Sequence, residues 1–137
     1  MKATTLFRGD RGSISVLILS LSAALIIGIG IAVDGARKAQ AYSDATAVAE
    51  EAARAGGQAL DVADLAAGQD AAVVPAQAVA AAQAYLEAAD VTGDVAVEGD
   101  RIVVDAAITR PTVFLGAIGI TATTVHGHGV ATLISAG

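Results

Sequence analysis

The chain changes its hydrophobic rhythm several times. A polar lead, MKATTLFRGDR (1–11), is followed by 22 residues, Gly12 to Val33, that carry no charge. A bilayer core is about 30 Å thick and a helix rises about 1.5 Å per residue, so about 20 apolar residues span it. The spacing predicts a transmembrane helix over 12–33 that runs on without a proline through 34–60. In that extension Ala41, Ala45, Val48, Ala49, Ala52 and Gly56 make an apolar stripe at helical spacing. Gln40, Ser43, Asp44, Glu50, Glu51, Arg54 and Gln58 supply its polar side, and Gly56-Gly57 marks a fraying point or kink. Residues 61–74 have weak periodicity and read as a loop with one helical turn. A second helix begins near Pro75, since proline suits a first turn, and buries Ala78, Val79, Ala82, Tyr85, Leu86 and Ala89. Asp90 to Gly93 ends it.

The period then falls to two. Val95 and Val97 alternate in one run, and Ile102, Val104, Ala106 and Ile108 in the next. Gly99-Asp100 between them fits a two-residue type II′ turn. Closing it sets Glu98 opposite Arg101, Val97 opposite Ile102 and Val95 opposite Val104, with both apolar sets on one side. Arg110-Pro111 breaks the strand. Thr112 to Ile118 reads as a short helical turn presenting Phe114, Leu115 and Ile118. Ile120 to Ile134 reads as a last strand, with Val125, Gly127, Gly129, Ala131 and Leu133 on one face and Thr124, His126, His128 and Thr132 on the other. Gly127 and Gly129 mark a bulge or close packing under a helix. The fold class is α+β: a long N-terminal helix, a second helix and a small antiparallel sheet of three strands. Residues 61–137 form the small domain.

Charge sharpens the membrane reading. Ahead of the apolar run stand three basic residues and one acidic, net +2; from Asp34 onward stand five basic and thirteen acidic, net −8. Basic flanks stay cytoplasmic, which places the N-terminus inside and the domain outside. Arg8 and Arg11 would meet anionic headgroups. Arg37 and Lys38 oppose this orientation, partly offset by Asp34, which is spaced to pair with them along the helix as a polar collar. An acidic domain repels nucleic acid. The apolar run exceeds the roughly 7–15 residues of a cleaved signal core. The nearest small-x-small site, Ala39-Gln40-Ala41, lies beyond Arg37 and Lys38. The run is therefore read as an uncleaved anchor.

Candidate chemistry is sparse. The chain has no cysteine and no tryptophan, which removes disulfides and thiolate sites. His126 and His128 point the same way on a strand, but a metal site needs further ligands, and no carboxylate is near in sequence. They read as surface histidines. No paired carboxylates, serine–histidine pair or phosphate loop appears, so neither enzymatic activity nor a cofactor is expected. Within the span, Ser20, Ala24, Gly28 and Ala32 recur every fourth residue. They form a small-residue face on which another helix packs closely, in an oligomer or a larger assembly.

The stretch Arg11-Gly12-Ser13, the apolar helix, Asp34 to Arg37, and Ser43-Asp44-Ala45-Thr46-Ala47 resemble the start of TadE/TadG-like proteins of the tight-adherence (Flp-type) pilus assembly system. VFLGAIGITATTVHGHGVATL resembles that family's ending. The resemblance implies a pilin-like (pseudopilin) protein or assembly factor of the cytoplasmic membrane whose partners are lipid and other pilus proteins. In processed members a prepilin peptidase cuts after a glycine, here Gly12, leaving Ser13 first. Such substrates carry a glutamate five residues into the mature chain. That position is Leu17, a departure that brings the chain nearer the TadG-like side, where the helix stays an anchor. A membrane-tethered ligand-binding or sensory domain is the alternative, and it should show a pocket of convergent polar groups.

Overall fold

The computed structural model describes residues 10–59 (10 and 11 as backbone only), 66, 68 and 73–133. The expected tail, most of the 61–74 loop and the strand's end at Ile134 lie outside the described residues. Helix α1 runs unbroken over Asp10–Gly57, 48 residues, which is about 72 Å at 1.5 Å per residue. Helix α2 is Pro75–Ala88. Three strands, β1 (Thr92–Glu98), β2 (Arg101–Pro111) and β3 (Ala122–Thr132), form one antiparallel sheet in that order. A 3₁₀ turn, Leu115–Ile118, lies in the connection between β2 and β3. The α+β class is as expected.

The two halves of α1 live differently. From Ile14 to Val33 its large apolar side chains are exposed, Leu19 at 72%. The helix is long and apolar enough to cross a membrane. From Ala41 onward it lies across the sheet, with Ala41, Ala45, Ala49, Ala52 and Ala53 buried. Alanine at these positions lets the helix axis come close. Gly127 and Gly129 on β3 do the same from below. A Cβ at Gly127 would fall on the Ala45 carbonyl and the Thr46 amide, and one at Gly129 on the Ala49 carbonyl and the Glu50 amide. Backbone thus lies on backbone, the close-packing alternative and not a bulge. Gly56 and Gly57 serve the same purpose. A Cβ on Gly56 would meet the Ala78 carbonyl of α2, and one on Gly57 would lie 3.0 Å from the Thr132 carbonyl. The helix does stop there, but it packs tightly up to its end.

The hairpin has the register expected, Glu98 with Arg101, Val97 with Ile102 and Val95 with Val104. Gly99 takes φ +64, which the first central residue of a II′ turn requires. β2 extends two residues past Thr109, because Arg110 and Pro111 still pair with Thr123 and Ala122. Proline is tolerated there because the ladder is ending. Helix α2 ends in a Schellman motif: Val91 N–H donates to the Leu86 carbonyl and Asp90 N–H to that of Glu87, with Asp90 left-handed at φ 55. Its buried line is Ala78, Ala82 and Leu86. Tyr85 and Ala89, expected in the core, are exposed. The contact with α1 and the sheet covers only the middle of the stripe, and these two lie at its edge.

The core is thin. Ile102 and Val104 are its largest fully buried side chains, ringed by alanines, Val73, Leu86 and Leu133. A second cluster, Ala41, Ala45, Ile108 and Val125, continues it toward the apolar half of α1, and Val91 touches both.

Candidate functional site at the helix exit

The most specific arrangement in the molecule is where α1 leaves its apolar half. Among the described residues Asp34 is the one buried charged side chain, 6% exposed. Its Oδ1 accepts the Val113 N–H at 2.9 Å, and its Oδ2 accepts those of Phe114 at 2.9 Å and Leu115 at 2.7 Å. The helix thereby grips the β2–β3 connection across about 80 residues of chain. The expected pairing with Arg37 and Lys38 yields to this: three converging amides outcompete exposed ammonium and guanidinium groups for both oxygens. Donation from Val113, then Leu115 and Phe114, holds the carboxyl below the ordinary carboxylate value. Burial opposes the shift, and Arg37 adds a smaller attraction.

One turn below, Phe114 lies on Gly30. A Cβ there would sit 2.6 Å from the aromatic ring, so glycine makes the seat for the phenyl group. Leu115, Ala117 and Ile118 face Ile26, Ile27 and Ile31 across an apolar depression. Above Asp34, Arg37, Gln40, Asp44 and Arg110 line an open groove. Arg110 stands 3.9 Å from Asp44 across it, an exposed pair of small energetic weight.

The residues singled out from sequence fall elsewhere. Ser20, Ala24, Gly28 and Ala32 are all exposed. The Ser20 hydroxyl bonds back to the Val16 carbonyl at 2.7 Å, and a Cβ on Gly28 would meet nothing within 4 Å. Gly12 and Ser13 lie exposed at the start of α1. His126 and His128 are on the exposed sheet face. The register sets Asp105 opposite His128, with Nδ1 and the carboxylate 2.9 Å apart, so a carboxylate distant in sequence is adjacent in space. No group of three metal-ligating side chains occurs among the described residues.

Gly30 is the site residue that sequence reasoning missed, and Asp34, expected as a collar pairing with Arg37 and Lys38, was assigned the wrong partners. Their partners are backbone amides and one phenyl ring far along the chain. The available signal was an apolar segment, Val113 to Ile120, with no polar side chain to satisfy its own amides. Compared with known proteins, the chain matches no family model, no curated protein and no solved structure.

Proposed function

We propose that the chain is a membrane-anchored, non-enzymatic component of a tight-adherence (Flp-type) pilus-assembly system, pseudopilin-like and nearest the TadG-like members. The observation that carries this reading is the single rod. One 48-residue helix leaves the large side chains of its apolar half exposed, touched there only by the 113–118 loop among the described residues, and is clasped by a small α+β head over the other half. Apolar side chains exposed over most of a helix's circumference are unfavourable in water and favourable in lipid. On this reading residues 12–33 cross the cytoplasmic membrane with the N-terminus inside and the head outside. The face of Ser20, Ala24, Gly28 and Ala32 then takes a neighbouring helix, because association within lipid depends on close packing.

The test is the intact mass of protein recovered from washed membranes, together with co-purification of pilus components. Full-length chain is the expected result. A chain beginning at Ser13 would make it a processed pilin. A soluble chain cut after Ala41 would sink the proposal. At Gly28, exposed and with nothing within 4 Å of an added Cβ, the substitution Gly28→Leu is expected to act on partner packing rather than on the chain's own fold. It should reduce co-purification, and protease added outside spheroplasts should reach the head.

A further inference from the structure

The β2–β3 connection has an unusual surface for a water-facing loop. Residues 112–121, TVFLGAIGIT, carry no charge. Val113 is 51% exposed, Phe114 42%, Ile118 74% and Ile120 47%. These side chains do not stand on the far end of the head. Phe114 and Ile118, with Leu115 and Ala117, lie back along the apolar half of α1, beside Ile26, Ile27 and Ile31, which are themselves exposed. At 1.5 Å per residue, Gly30 lies about 6 Å and Ile26 about 12 Å before Asp34 along the axis. Loop and helix together make one continuous apolar surface.

The loop's backbone is also prepared for a medium without water. Asp34 takes the amides of residues 113, 114 and 115. Thr112 N–H donates to the Thr121 carbonyl, Ala117 to Phe114, Gly119 to Gly116 and Ile120 to Leu115. The Thr112 hydroxyl donates to the Ile120 carbonyl. Lipid-exposed irregular backbone does not occur in the hydrocarbon centre, so a loop of this kind, with these amides bonded internally, suits the headgroup–acyl boundary, where apolar side chains insert shallowly. Directly above, Arg37, Lys38 and Arg110 gather around the same corner as Thr112 and Asp34, at the height where anionic headgroups would lie.

From this we infer that the 112–121 loop is a lipid-inserting wedge. It enters the leaflet that the head faces, beside its own helix, with its apolar tip at the headgroup–acyl boundary and the three basic residues at the phosphate layer. The inference rests on the reading that residues 12–33 cross a membrane. The wedge would fix the head's height and tilt over the bilayer, which a single helix leaves free.

The chain has no tryptophan, so single-tryptophan variants of the full protein report their own depth. Ile118→Trp, Leu19→Trp and Val130→Trp would be reconstituted in vesicles of phosphatidylcholine and phosphatidylglycerol brominated either near the headgroup or at mid-chain. Each of these positions is exposed, and Val113→Trp is a second loop reporter should Ile118→Trp not fold. The expected result is loss of Ile118→Trp fluorescence chiefly with the shallow quencher, loss of Leu19→Trp fluorescence with the deep one, and none for Val130→Trp. If Leu19→Trp is quenched but both loop reporters behave like Val130→Trp, the wedge is overturned and the anchor stands. Blue-shifted, unquenched loop reporters would instead mean that a protein surface covers the tip, and would also overturn it. If Leu19→Trp escapes quenching as well, anchor and wedge fall together.

Discussion

Replacing Gly129 with alanine places a methyl group where the backbone of α1 already runs. The added Cβ would lie 2.5 Å from the Glu50 nitrogen and nearer still to the Ala49 carbonyl. Ordinary contact begins near 3.4 Å, so helix and strand must part by about an ångström along a seam that Gly127 shares. Overpacking of this sort costs about 1–3 kcal/mol. The upper end applies, since the neighbours are main-chain atoms with no rotamer to yield. Alanine also restricts the unfolded chain, which offsets about 0.4–1 kcal/mol. About 2 kcal/mol of net loss remains, a large share of the roughly 5–15 kcal/mol that holds a domain together. For a head of this size that lowers Tm by roughly 8–16 °C. The assay is circular dichroism melting of the full chain in mild detergent, where the apolar half of α1 stays helical and the head supplies the transition. Gly116→Ala is the control: its Cβ would meet only the Thr112 hydroxyl, at 3.8 Å. A Gly129→Ala melt indistinguishable from that control would refute the claim that backbone contact sets the helix–sheet spacing.

Three further outcomes are expected. Asp34→Asn should expose the amides of residues 113–115 to hydrogen exchange, because a carboxamide cannot accept three donors with both of its heavy atoms. The unsubstituted protein should show the same loosening in acid. The Asp34 carboxyl titrates below its ordinary 3.8, so its contribution is complete above that value and is lost as pH falls through the lower folded one. Equal exchange at neutral pH in both proteins would contradict the grip. Asp90→Gly should raise stability by up to about 1 kcal/mol: relief of a left-handed strain of roughly 1–2 kcal/mol is offset by about 0.5–1 kcal/mol of glycine's extra chain entropy. A denaturant midpoint that does not rise would count against it.

How much of this was legible in the sequence depended on how far apart the partners stand. The hairpin could be read to the residue because turn length and alternation constrain each other: Gly99-Asp100 admits one register, and only that register puts Val95, Val97, Ile102 and Val104 together. The alanine line on α1 and the alternating Gly127 and Gly129 left a close seam and a bulge both open, and which alanine meets which glycine was not legible. The pairing of β2 with β3 has no such constraint, since ten residues separate the strands, so Asp105 opposite His128 went unseen. Asp34 was the hardest to place. Its spacing to Arg37 and Lys38 suggested a local ion pair, whereas its partners are amide hydrogens, which every residue but proline has and none advertises. Tyr85 shows the opposite error: a residue that fits the helical stripe lies just past the edge of what the small neighbours can cover.

The bond from Asp34 to the connection between the strands has a mechanical meaning. It ties the head to α1 at its lower rim, while the glycine seam ties it along the flank, so the two fixings resist rotation about the helix axis. Helical geometry turns each residue by about 100° from the last, and with no joint between foot and head, the azimuth of the stripe containing Gly28 dictates the compass bearing of the sheet. Neighbours docking on that stripe would therefore present their His126- and His128-bearing surfaces in a common direction.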